Sequence, residues 1–190
     1  MEKDFISVIC IIITVYAYFP YIRSINKGET KPHVFSWIIW GIATLVVFCA
    51  QFADHGGAGA WPMGLNGIII FYVAYLAYIK RADSHITRSD WIFFILALAS
   101  LPLWYVTSNP LWAVILLTIV DSLGFVPTFR KSYTQPYDER LEFYVLMTLR
   151  NFITIPALEN YSYTTIIFPA LTGALGAIFI LMVIWRRKKV

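Results

Sequence analysis

Apolar residues fall along this chain in seven long runs separated by short polar stretches: Phe5–Ile22, Val34–Ala53, Trp61–Ile79, Trp91–Thr107, Pro110–Phe129, Arg140–Leu158 and Thr164–Trp185. Each is close to the about 20 residues that a helix needs to cross the hydrocarbon of a bilayer. The pattern predicts an all-α integral membrane protein with seven transmembrane helices. The first run has no basic segment ahead of it and no small-residue cleavage site, so it is expected to be retained as a helix.

Composition agrees. The chain is 59% hydrophobic and only 14% charged, with a mean hydropathy of +0.67, more apolar surface than a soluble domain of 190 residues could hide. Thirteen of the fifteen Lys and Arg lie in the first, third and fifth loops or in the tail, and the opposite side holds only Lys3. By the positive-inside rule the N-terminus is outside and the C-terminus cytoplasmic. The pI of 9.1 is then a topology signal, and no nucleic-acid partner is expected. Trp37, Trp91 and Trp185 fall at expected cytoplasmic ends, and Trp61, Trp104 and Trp112 at external ends, as an interfacial belt requires. Cys10 and Cys49 are expected to be free, buried thiols.

The polar turns repeat. Tyr18-Phe-Pro-Tyr leads through a basic turn to Thr30-Lys-Pro, and Val126-Pro-Thr-Phe leads through another to Thr134-Gln-Pro. Pro20 and Pro127 are 107 residues apart, and Asn66 of Leu-Asn-Gly stands 106 before Thr172 of Leu-Thr-Gly. Three helices therefore recur as a block, with one left over. The expected division is residues 1–81 as the first triple-helix repeat, 82–109 as a linker whose helix, Trp91–Thr107, has almost no polar residue beyond Ser100, and 110–190 as the second repeat with its basic tail. That is a parallel 3+1+3 arrangement, in which Pro20 and Pro127 are candidate hinges.

Two ionisable residues lie deep in the runs. Asp121 is eleven residues from the outer end of the fifth and Arg150 ten from the inner end of the sixth, roughly 15 Å each, near the middle of a ~30 Å core. Either alone is costly in lipid. Two roles are open: an ion pair locking the fifth helix to the sixth, or charged walls of a solute pathway with Asp121 exchanging protons. Asn151, Thr172 and Asn66 are the amides and hydroxyl best placed to bind a solute, and Trp40 and Tyr16 could stack on one. Each also has a plain packing role available to it.

Other chemistries find little support. His33, His55 and His85 are solitary loop residues without a metal set, and no cofactor is expected. No hydrolase or metalloprotease motif occurs, so the chain is not expected to be an enzyme. Every lysine lies in a loop or tail, which leaves none to hold a buried retinal Schiff base.

The 3+1+3 layout, the prolines of the first and fifth helices and Asn66 in the third resemble the SWEET, PQ-loop and Pnu-type transporter group. The PQ dipeptide is absent, Phe19-Pro-Tyr and Val126-Pro-Thr standing there, and Thr172 occupies the second position of the asparagine pair that SWEET transporters set around their solute. Thr30-Lys-Pro-His, Ser36-Trp, Thr87-Arg-Ser-Asp, Thr107-Ser-Asn-Pro and Asp121 with Pro127-Thr more closely resemble a family of uncharacterised bacterial membrane proteins. The resemblance implies a transporter in a bacterial cytoplasmic membrane, carrying a sugar, a vitamin or nucleoside, or an amino acid by rocking of two triple-helix blocks, as a facilitator or linked to protons. A receptor or scaffold that binds without transport is the alternative. Oligomeric state is not indicated.

Overall fold

The apolar runs are helices in the computed structural model, which describes residues 2–29, 32, 34–80, 88–134, 136–137 and 140–189; side chains at 126, 127, 130 and 131 lie outside that description. Thr30, Lys31, His33, the loop residues 81–87 and Gln135 therefore fall outside the described residues, as does the ring of Pro127. Among the described residues there are seven α-helices and no strand: α1 (Glu2–Asn26), α2 (Val34–Ala53), α3 (Trp61–Ile79), α4 (Arg88–Thr107), α5 (Pro110–Thr134), α6 (Leu141–Ala157) and α7 (Tyr163–Arg187). A 3-10 turn, Gly57–Ala60, leads into α3.

Five of these segments are long and apolar enough to span a bilayer: α1, α2, α3 with its preceding turn, α4 and α7; Pro110–Phe125 of α5 is a shorter apolar stretch. Val106 is 79% and Leu181 68% exposed, surfaces that hydrocarbon accepts and water does not. The chain is an all-helical integral membrane protein.

Expected and observed spans differ mainly at their ends. α1 runs straight through Pro20 to Asn26, and α5 through position 127 to Thr134. Pro20 lacks the N–H that would bond Tyr16 O, but its ring lies on an exposed face where it displaces no neighbouring helix. It does not terminate the helix.

Packing partners are set by where small residues permit close approach. α3 packs on both α1 and α2, and α7 on both α5 and α6; α1 packs on α6, α2 on α5, and α4 on α5 and α2. A Cβ at Gly41 would lie 2.9 Å from the Phe71 ring, and one at Gly67 2.5 Å from Leu45. These two glycines let α2 and α3 close on each other. Gly173 does the same for the Phe152 ring of α6, where a Cβ would come within 3.1 Å. The buried cluster of Ile39, Val47, Met63, Ala97, Leu117 and Phe168 joins α2, α3, α4, α5 and α7. α4 contributes little to the interior, burying only Ala97 and Ser100.

The two ends of the bundle are closed by different chemistry. At one, the α2–α3 connection meets the α6–α7 connection. Asn160 Nδ2 donates to Asp54 O at 2.9 Å, Ser162 Oγ donates to Asp54 Oδ2, Glu159 N donates to Gly56 O at 3.0 Å, and Gln51 Nε2 donates to Thr165 O at 2.8 Å. Lys3 Nζ and Ser7 Oγ add bonds from α1 to Leu158 O and Ala58 O, both 2.6 Å. Ser162 also caps α7 through a reciprocal pair with Thr165.

The other end is aromatic. Trp40 contacts Trp37, Trp37 contacts Tyr18 and stacks on Tyr21, both tyrosines meet Phe143, and Phe143 leads through Tyr144 to Phe125 and Phe179. Trp37, expected in the interfacial belt, is instead buried in this cluster, because its neighbours on α1 and α6 offer ring faces. Trp61, Trp91, Trp112 and Trp185 are about half exposed, as belt residues would be. Cys10 is a buried free thiol, as expected, whereas Cys49 is free but exposed, since it falls on the outward face of α2.

Candidate functional site

Between the polar clasp and the aromatic cluster, at mid-depth, a chain of hydrogen bonds crosses three helices. Thr14 on α1 donates its hydroxyl hydrogen to Cys10 O one turn back, at 2.8 Å. Its oxygen is left as an acceptor, and Arg150 Nε on α6 donates to it at 3.2 Å. Arg150 Nη1 donates to Asn151 Oδ1 at 2.6 Å. A guanidinium has only donors, so the Asn151 amide must present its oxygen there and its NH2 elsewhere. That NH2 donates to Thr172 Oγ1 on α7 at 3.1 Å, and Thr172 in turn donates to Phe168 O at 2.7 Å. Each threonine bonds its own helix and offers lone pairs to the next. The sense of every bond is thereby fixed.

One atom in this chain is left over. Among the described residues Arg150 is the largest fully buried side chain, 1% exposed, and its Nη2 is buried without a partner. An uncompensated charged donor in a membrane interior costs several kcal/mol. Its own backbone carbonyl is well supplied, accepting from Thr154 Oγ1 at 2.8 Å and from Cys10 Sγ at 3.8 Å. The deficit is confined to the guanidinium.

Asn66 is a second deficit. It lies on the buried face of α3 with Met63, Ile70 and Val73, is 7% exposed, and its Oδ1 is buried with no partner. Among the described residues neither end of its amide is hydrogen-bonded.

Asp121 does not pair with Arg150. Among the described residues no ion pair or hydrogen bond engages its half-buried carboxylate. The reason is topological: α7 packs against both α5 and α6, so the two helices consecutive in sequence are not each other's principal neighbours. Asp121 instead shares a face of α5 with Gly124, against which Trp40 of α2 rests, its Nε1 3.5 Å from where a Cβ would stand.

The structure thus joins Arg150, Asn151 and Thr172 directly, places Trp40 beside the helix turn that carries Asp121, and leaves Asn66 buried and unbonded. Tyr16 is elsewhere. It is 63% exposed and lines a side crevice between α1 and α6 with Phe19, Pro20, Arg140 and Leu146. Among the described residues no three His, Cys, Asp or Glu stand together as a metal set.

Comparison with protein-family models, curated proteins and solved structures finds no match for this chain. Its reading rests on its own residues.

Two residues of the site were not singled out from the sequence. Thr14 supplies the acceptor for Arg150, and Tyr18, one turn further along α1, is 4% exposed. A signal for Thr14 was present. It lies 107 residues before Asp121, the same offset that separates Pro20 from Pro127. It also belongs to a stripe of small and polar residues on α1, Ser7, Cys10, Thr14 and Ala17, all buried.

Proposed function

We propose that the chain is a membrane transporter for a small polar solute, with its binding site at the mid-depth polar tract. The observation that carries this reading is a pair of buried polar atoms without partners among the described residues, Arg150 Nη2 in the tract and Asn66 Oδ1 on α3. A bundle stabilised only by packing gains nothing from burying two such deficits. A solute that bonds them removes the cost while it is bound, and mid-membrane polar groups between helix blocks are where carriers place their substrates.

The architecture proposed is 3+1+3: α1–α3 and α5–α7 as parallel blocks, α4 as the linker, with the clasp end outside and the basic end cytoplasmic. Three observations support it. Within each block the third helix packs on the first two, α1 against α6 mirrors α5 against α2, and the basic loops and tail share one side. Opening would separate the blocks alternately at the Asp54–Asn160–Ser162 clasp and at the aromatic cluster, with Pro20 and Pro127 as bending points. The layout resembles the SWEET, PQ-loop and Pnu-type group, in a bacterial cytoplasmic membrane.

The test is a thermal-shift screen of detergent-purified protein against sugars, nucleosides, B vitamins and amino acids at two pH values. A ligand at a hundred times its dissociation constant raises stability by about 2.7 kcal/mol. A hit lost in Asn66→Ala supports the site. Silence from folded protein argues for the alternative, a scaffold without a solute.

A further inference from the structure

We infer that the solute is a small zwitterion, its carboxylate held by Arg150 and its cationic amine by Asp121 beside Trp40. The inference rests on the transporter reading and narrows it from any polar solute to one charge pattern.

The first observation is the state of Arg150. Its Nε and Nη1 are bound to neutral oxygens, of Thr14 and Asn151, and among the described residues no ion pair neutralises its charge. The unpartnered Nη2 is a buried cationic donor facing no acceptor. A carboxylate supplies both the missing acceptor and the missing charge, and charge-assisted bonds of this kind are roughly twice as strong as neutral ones. A sugar hydroxyl would satisfy the hydrogen bond and leave the charge bare.

The second observation is Asp121. It carries the opposite charge at a similar depth and is likewise unpaired among the described residues. Trp40, beside the Asp121 turn, and Met147, one turn from Arg150 on α6, pack against the same buried cluster around Tyr18, which sets the two charges around one region of the bundle, yet they do not engage each other. A ligand with one anionic and one cationic end answers both deficits and leaves the interior neutral. A simple anion or a simple cation answers one. Trp40, packed at Gly124 one turn along the Asp121 face, offers an indole ring to an ammonium group. Asn66, with its amide unbonded, is free to orient the rest of the molecule.

The repeat relates each of the two charged positions to a threonine. At the Pro20–Pro127 offset, Asp121 is the counterpart of Thr14, and at the Asn66–Thr172 offset, Arg150 is the counterpart of Thr44. Thr14 meets Arg150 where α1 packs on α6, and Thr44 and Asp121 stand on the other pair of helices that packs between blocks, α2 and α5. Both charged residues belong to the second block, and the first contributes the two threonines.

The experiment uses full-length protein in detergent and measures apparent dissociation constants by thermal shift. The probes are the common α-amino acids, their deaminated carboxylic acids, their amides as free amines, and neutral sugars and nucleosides. One or more amino acids should bind, with loss of either charged group weakening binding about 30-fold or more. Asp121→Asn should erase the preference for an amino acid over its deaminated acid. Arg150→Lys, chosen because Arg150→Gln takes the cationic donors from Thr14 Oγ1 and Asn151 Oδ1 and is at risk of misfolding, should weaken amino acid and deaminated acid together. Binding of an uncharged or singly charged probe as tightly as its zwitterionic relative overturns the zwitterion assignment and leaves the transporter reading standing. Unchanged preference in folded Asp121→Asn overturns it as well. No binding by any probe overturns the assignment and the solute site together.

Discussion

Arg150 Nε donates to Thr14 Oγ1 at 3.2 Å, and through this bond α6 is tied to α1 in the middle of the bundle. Residues 136 positions apart in sequence meet there, and the threonine is fixed as acceptor because its only hydrogen is given to Cys10 O. A buried guanidinium is thus held in register by a neutral partner, which positions it without cancelling its charge.

Thr14→Val keeps the shape and removes the acceptor. Stability should fall by about 1.5–3 kcal/mol, the range for bonds to charged groups. Equilibrium unfolding in mixed micelles checks this, and Thr14→Ser should recover most of the loss.

The clasp between the α2–α3 and α6–α7 connections depends on Gly59. A Cβ there would stand 2.5 Å from Leu158 N and 2.6 Å from Ala157 C, backbone atoms that cannot swing aside. Gly59→Ala should destabilise by about 1–3 kcal/mol. Among the described residues Gly124→Ala meets only the Trp40 Nε1, at 3.5 Å, and it gains helix propensity, so it should be neutral or slightly stabilising. Thermal unfolding of the two variants side by side tests the contrast.

Ser162 both caps α7 and bonds Asp54. Ser162→Ala should cost about 0.5–2 kcal/mol as a cap. It should also loosen the clasp locally, so the Glu159 amide, which donates to Gly56 O, should exchange with deuterium faster. Amides near the aromatic cluster should keep their rates, as hydrogen-exchange mass spectrometry would show.

The two thiols should separate cleanly. In detergent a maleimide should modify Cys49, which is exposed, and leave Cys10, which is buried with Sγ directed at Arg150 O. Cys49→Ala protein should take up no label until it is denatured. Intact-mass measurement reads the result directly.

The spans were legible because a bilayer imposes a length on every apolar run, and Val34–Ala53 and Trp61–Ile79 match α2 and α3 end for end. Arg150, Asn151 and Thr172 were legible as rare polar groups in those runs. Which of them touch was not, since hydropathy sets depth but not helix neighbours. Asp121 and Arg150 are expected at one depth on consecutive helices, yet α7 packs against both helices. Tyr16 and Tyr18 are two residues apart, and a helix turns about 200° between them. Only the packing shows that Tyr18 faces inward while Tyr16 faces out.

The central claim is that the mid-depth tract is a solute pathway, and flux tests it most directly. Purified protein in liposomes would be offered a pool of labelled amino acids, sugars and nucleosides, and uptake compared with protein-free liposomes and with Asn66→Ala. The account predicts protein-dependent entry of at least one solute, lost in the variant. Wild-type uptake equal to that of protein-free liposomes for every solute, from protein shown to be folded, would contradict it.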